Sequence, residues 1–222
     1  MKAPLVTALA GLALVFGFAT CCAKAEPAAA QVDDPLYHPN DRSFLDGYEP
    51  VLPSGEVQVV VEIPAGTTAK WEVTKPSGEL RWEIKNGKPR IVAYLGYPGN
   101  YGMIPRTLLP KELGGDGDPL DVIVLGDSVP RGSVLPTHII GVMRMLDGGE
   151  QDDKLIAVRS GTPFAEVRSL AQLRKEFAGV DVILEQWFSN YKGPGIVQVP
   201  GFAEATEANR ILQESIKAFA SH

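Results

Sequence analysis

The sequence predicts an α+β fold dominated by β structure: a small antiparallel barrel with helices packed outside it. Three observations carry this prediction. Short apolar, β-branched runs punctuated by Gly and Pro occupy residues 57–158, the pattern of strands separated by tight turns. Helical periodicity begins only near residue 169, and strands followed by helices is the order of an α+β domain. No repeat and no linker-like stretch interrupts the chain after residue 50, so residues 51–222 read as one domain. With 45% hydrophobic and 22% charged residues, disorder, collagen and coiled coil are excluded.

The elements follow in order. Residues 57–63 are apolar and β-branched and stop at Pro64 and Gly66, which ends a strand. Strands at 70–74 and 80–84 flank Pro76-Ser77-Gly78, a hairpin turn. Residues 120–125, 139–145 and 155–158 are further apolar strands. Ser169-Leu170-Ala171-Gln172 is a capping box opening a short helix. Residues 182–191 have helical apolar spacing, and 204–219 place Ala208, Ile211, Leu212, Ile216 and Phe219 on one stripe.

The N-terminus reads differently. Lys2, an apolar stretch over 5–18 and the triplet Ala23-Lys24-Ala25 have the order of an export signal. The apolar stretch is too short for a membrane span, which needs about 20 residues. Residues 1–25 are therefore expected as a signal and 26–50 as a tether or extension. Cys21 and Cys22, the two cysteines of the chain, are either discarded with the signal or supply a lipid attachment point. The expected location is exported, periplasmic or lipid-anchored. A cysteine-free body excludes a thiol nucleophile and a disulfide scaffold. His38, His138 and His222 lack zinc-ligand spacing. A net charge of −6 without a basic track argues against a bare electrostatic grip on nucleic acid, so none is expected as a partner.

Chemistry concentrates in carboxylates. Asp116-Gly117-Asp118-Pro119-Leu120-Asp121 precedes an apolar strand, and three such charges repel unless cations neutralise them. A solvated turn is the plain alternative. A calcium loop of the EF-hand type fails, because its fifth position would be Leu120 and its sixth Asp121. The run from Asp147 through Asp152 to Lys154 is a second cluster, or an ordinary hairpin tip. Glu62, Lys70 and Glu72 form a third, with Lys70 and Glu72 on one strand face and Trp71 on the other; a salt-bridged surface face is the alternative. Tyr97, Tyr101, Tyr191 and Lys192 add phenols and a cation. Each signal is weak singly. Together they supply hard oxygen ligands with Lys, Arg and Tyr donors, the inventory of metal-dependent phosphoryl transfer.

The order of these motifs resembles the soluble family I inorganic pyrophosphatases: Glu62-Ile-Pro, Lys70-Trp-Glu72, Tyr97-Pro-x-Asn-Tyr101-Gly, Asp116-Gly-Asp118-Pro-x-Asp121, Asp147 with Asp152-x-Lys154, and Tyr191-Lys192. The resemblance runs from about Val57 to Lys192. It implies an OB-like five-stranded barrel that hydrolyses pyrophosphate with several Mg2+ ions, Mn2+ being an alternative, and a homo-oligomeric state. By position, Asp116, Asp121 and Asp152 match ligands of the activating metals, and Asp147 a ligand of ions arriving with substrate. Glu62 and Glu72 join the same acidic ring. Asp118 matches the carboxylate that orients or deprotonates the attacking water. Lys70, Arg90, Tyr101, Tyr191 and Lys192 match groups that grip phosphate, supported by Lys154 and Tyr97; the catalytic set is Asp118, Lys70, Arg90 and Tyr101.

Three features depart from the family pattern. The spacing before Tyr97 leaves Lys88 and Arg81 as rivals for the role of Arg90. The 101–116 stretch is longer than in compact bacterial members. Export is atypical for a mostly cytoplasmic family. Two other functions remain open on the residues alone: an exported polyphosphate or nucleotide phosphohydrolase, and an OB-type binding module, which the missing basic track disfavours.

Overall fold

Five strands close a ring whose connections follow from one long strand. The computed structural model describes Met1 and residues 35–110, 114–115 and 117–222, so the expected signal, both cysteines and Asp116 lie outside the described residues. The ring comprises β2 (Val57–Ile63), β7 (Asn100–Met103), β8 (Asp121–Val124), β11 (Lys154–Val158) and β9 (Val134–Asp147). The fourteen-residue β9 pairs with β2 through Val134–Thr137 and with β11 through His138–Met143, closing the barrel. The expected barrel was antiparallel throughout, but β8 and β11 run parallel, with Leu155 opposite Val122. The reason is topological: alternation of direction around a closed ring of five must fail once.

Alternation along the strands sorts the core. Ile123 and Leu125 join Ile156, Val158, Leu170, Leu173, Leu184 and Phe188 in one cluster. Val122 and Val124 join Leu155, Ala157, Ala208, Ile211 and Leu212 in another. Both faces of β8 and β11 are covered, so their sequences read as continuous apolar runs. Helices α1 (Leu170–Glu176) and α2 (Val180–Asn190) cover the first cluster, and α3 (Ala205–Ala220) lays Ala208, Ile211, Leu212 and Ile216 of its expected stripe on the second, which Phe219 does not join.

At α1 the Ser169 hydroxyl accepts from the Gln172 N–H at 3.1 Å, as the capping box predicts. Gln172 Oε1 accepts instead from Arg168 N–H, one residue before the cap. Gly141 of β9 lies beneath Leu170; a Cβ there would come within 2.4 Å of the leucine Cδ1, so α1 approaches the sheet only over a glycine.

A three-stranded sheet of β1 (Tyr37–His38), β4 (Leu80–Trp82) and β3 (Trp71–Val73) packs on the barrel. Trp71 is buried there beside Leu80 and Met103 and stacks on Trp82 at 5.5 Å. Phe44, within the 26–50 stretch, is buried in the same cluster, so the described part of that stretch is built into the domain. A small hairpin of β5 (Ile84–Lys85) and β6 (Lys88–Pro89) projects beyond it. Beside β9 lie β10 (Glu150–Gln151) and β12 (Val197–Glu204). Among the described residues no helix is long and apolar enough to cross a membrane.

Candidate active site

The barrel strands, the β3–β4 hairpin and the end of α2 surround a cleft of about 680 Å³. Glu62 enters it from β2, Lys70 and Glu72 from the β3 segment, and Tyr101 from β7. Asp121 enters from β8, Asp152 and Lys154 from the start of β11, and Tyr191 and Lys192 from the chain leaving α2. Lys70 and Glu72 thus share the face their spacing predicts, and that face borders the cleft rather than open solvent.

Lys154 is the centre of the acidic wall. Its side chain is 3% exposed, and its ammonium donates to both Asp121 and Asp152. Two carboxylates around one ammonium leave an unbalanced negative charge in a buried place. Burial raises the pKa of Asp152; Lys154 pulls against that, and Asp121 adds to it. For Lys154, burial works against the charge, but Asp121 and Asp152 outweigh it and hold the proton more tightly than usual.

Glu62 is buried and accepts from the Val73 N–H at 2.7 Å. Burial pushes its pKa up to about 7, although Lys70 opposes the shift. Burial also raises Glu72, again against Lys70. Lys70 lies 5.4 Å from the centre of the Tyr101 ring and Lys154 6.0 Å from it, so that ring is bordered by two ammonium groups. Burial raises the pKa of Tyr97, Tyr101 and Tyr191, and nearby negative charge adds to it for Tyr101 and Tyr191. All three phenols therefore stay protonated near neutral pH and can act as donors.

Of the three cations expected as candidates for the arginine role, one borders the cleft. Arg90 lines the cleft, and its Nη1 donates to both oxygens of Glu83 at 2.7 and 2.9 Å. Its two rivals lie elsewhere: Arg81 pairs with Glu79 and lies over the Tyr37 ring, and Lys88 is exposed on the β5–β6 hairpin.

Asp118 sits at the rim, its side chain 56% exposed, paired with Lys75. Lys75 also donates to Gly117 O at 2.8 Å. Gly117 has φ +90°, a backbone conformation that favours glycine. Asp147 pairs with Lys192, which lines the cleft. Its hairpin tip, Gly148-Gly149, is an ordinary exposed turn with both residues at positive φ.

Among the described residues no three metal-ligating side chains gather at metal-binding spacing, and Asp118, Asp121, Asp147 and Asp152 are each paired with a lysine, Asp121 and Asp152 sharing Lys154. The donor chemistry still fits a hard divalent ion. Glu62, Glu72, Asp118, Asp121 and Asp152 all face one cleft with oxygen ligands and no thiol or imidazole.

Three participants escaped the sequence reading: Glu83, Lys75 and Trp187. Of these, Trp187 carried a usable signal, since it stands four residues before Tyr191 at the end of a helix.

A family model described as Inorganic pyrophosphatase matches residues 59–220. Inorganic pyrophosphatase of Drosophila melanogaster is 36% identical over 180 residues, covering 72% of this chain and 53% of that protein. Soluble inorganic pyrophosphatase 2 of Chlamydomonas reinhardtii is 36% identical over 174 residues, covering 75% and 82%. An N-terminally truncated Trypanosoma cruzi vacuolar soluble pyrophosphatase in complex with PPi superposes with a TM-score of 0.71 at 25% identity, covering 85% of this chain and 77% of that one. The chain spans little more than half the length of the fly protein.

Proposed function

Since this chain belongs to the family I inorganic pyrophosphatases, we propose that it hydrolyses inorganic pyrophosphate to two phosphates by attack of an activated water. One observation carries the reading: five carboxylates and the donors Lys70, Arg90, Tyr101, Tyr191 and Lys192 converge on a single cleft. Pyrophosphate carries several negative charges, and the acidic wall alone would repel it.

In this reading Asp116, Asp121, Asp147, Asp152, Glu62 and Glu72 hold Mg2+, with Mn2+ as a substitute. When bound, such ions reverse the local field and lower the pKa of water toward neutrality. The chain's own groups do the rest. Asp118 accepts a proton from the attacking water at a carboxylate oxygen, as a general base at the cleft rim. Lys70, Arg90 and Lys192 place fixed positive charge against phosphate oxygens, and the protonated Tyr101 and Tyr191 donate to them. Lys154 keeps Asp121 and Asp152 apart and supports the grip. Tyr97 packs against Tyr101 with ring centres 5.3 Å apart and orients it. Positioning and electrostatics account for most of the catalysis expected of such a site.

The basic, apolar and small-residue order of residues 1–25 supports export, as a periplasmic or lipid-anchored protein. Resemblance to the family supports a homo-oligomer. Phosphate release from equal concentrations of pyrophosphate, tripolyphosphate and ATP, each with magnesium, tests the substrate. Pyrophosphate should be strongly preferred; equal rates on all three would contradict the reading.

A further inference from the structure

Asp153 borders the cleft between Asp152 and Lys154 but has a different set of partners. Asp152 and Lys154 are tied to each other and to Asp121. The Asp153 carboxylate, 7% exposed, takes the guanidinium of Arg144, the side-chain amide of Gln151 at 2.9 Å and the backbone N–H of Met145 at 3.0 Å. Arg144 Nη2 continues to Glu207 in the first turn of α3 at 2.6 Å, and Glu207 accepts from Arg210 Nε at 2.8 Å. A buried carboxylate with three donors is a fixed point, and here it is anchored through Arg144 to a helix on the barrel.

What it fixes is the hairpin that carries two cleft residues, Asp152 and Lys154, and Asp147, the partner of Lys192. Asp147 precedes the turn, and Asp152 and Lys154 follow it. The tip is Gly148-Gly149, two residues with high intrinsic backbone freedom. The backbone bond from Asp152 N–H to Met145 O at 2.9 Å spans this hairpin, and the Asp153 side chain adds a second tie to the same Met145. Removing Asp153 would leave the Met145 N–H and part of Arg144 without an acceptor and release that tie.

We propose that Asp153, braced by Arg144 and Glu207, is a positioning residue. It holds Asp152 and Lys154 in place on the cleft wall, Asp152 as an oxygen ligand for a divalent cation and Lys154 as a positive charge for pyrophosphate. The proposal rests on the pyrophosphatase reading for its substrate, but its metal-binding consequence can be measured alone. Outer groups that orient metal ligands typically contribute 10- to 100-fold in affinity or activity.

The test titrates Mg2+ calorimetrically into the full chain and into Asp153→Ala, Arg144→Ala and the double variant, and then measures kcat and KM for magnesium pyrophosphate. Asp153→Ala should weaken Mg2+ binding and lower kcat about 10-fold or more, with KM changed less. The double variant should lose little beyond the single ones, since both residues act in series. Asp153→Asn, which keeps an acceptor for Met145, should recover part of the loss. Arg174→Ala, which breaks the Arg174–Asp181 ion pair away from the cleft, serves as a control for a purely structural effect and should keep wild-type Mg2+ binding and kcat. If Asp153→Ala fails to fold, Asp153→Asn and Arg144→Lys carry the same comparison. Wild-type Mg2+ affinity and kcat in the Asp153 and Arg144 variants, whatever their melting temperatures, would overturn the brace. A wild-type protein inactive on pyrophosphate would overturn the pyrophosphatase reading instead, while the Mg2+ titration still decides the role of Asp153.

Discussion

The indole of Trp187 lies nearly flat against the phenol of Tyr191, with ring centres 4.8 Å apart and planes 15° apart. Its Nε1–H donates to Leu95 O at 3.0 Å, and Tyr97 packs 4.5 Å away. One buried ring therefore fixes two tyrosines of the cleft and the loop above them. Trp187→Ala should cost roughly 3–5 kcal/mol of stability and raise KM for pyrophosphate more than it lowers kcat. Trp187→Phe keeps the ring contact and removes only the hydrogen bond to Leu95 O, on an exposed residue, at a cost of about 0.5–1.5 kcal/mol. Denaturant unfolding and steady-state kinetics check both; a wild-type KM in Trp187→Ala would remove the indole from the substrate grip.

Glu62 makes the metal-free protein sensitive to pH. Its folded pKa of about 7 lies above the ordinary 4.5, so the native state holds the proton more tightly than the unfolded chain. Stability from this group is fully present below pH 4.5 and is lost as pH rises through about 7. The loss is on the order of 3 kcal/mol. Urea unfolding in chelator at pH 5 and pH 8 should show it, and Glu62→Gln should remove most of the difference. Equal pH slopes for the two proteins would contradict the assignment.

Arg90 can be separated from its rivals by substitution. A charged hydrogen bond to phosphate is worth about 1.5–3 kcal/mol, so Arg90→Ala should lower kcat/KM roughly 10- to 150-fold. Lys88→Ala and Arg81→Ala should leave kcat/KM near wild type, since neither side chain lines the cleft. A loss in Lys88→Ala matching that of Arg90→Ala would reassign the role.

Asp118 is tested at constant shape. Asp118→Asn keeps an acceptor and removes the basic oxygen, so kcat should fall roughly 10²- to 10⁴-fold. Substrate and metal affinity should change much less, because Asp121 and Asp152 are untouched. If Asp118→Asn loses metal as completely as Asp121→Asn, Asp118 is an ordinary ligand rather than the base.

The sequence revealed strands and motifs where the signal is local. Residues 57–63 and 121–124 are apolar enough to read as strands directly, and Asp121 and Lys154 were visible in motifs of fixed spacing. By contrast, β12 contains Pro200 and Gly201, with a register shift between Gln198 and Gly201, and so reads as a turn. The parallel β8–β11 pair was invisible because it depends on barrel closure, which no segment encodes alone. The same holds for partners: Arg144 meets Glu207 across 63 positions, and Trp187 meets Leu95 across 92. Lys75 faces Asp118 from a different hairpin. Chemistry was legible wherever one strand carried it, and the braces were not, because each joins two distant elements.

The most direct test of the whole account is phosphate release from pyrophosphate by the purified chain, measured with excess chelator and again after magnesium is restored. The account predicts no turnover in chelator and full recovery with magnesium, since the carboxylates facing the cleft repel substrate until hard cations neutralise them. Undiminished hydrolysis in chelator, or none with magnesium present, would contradict it.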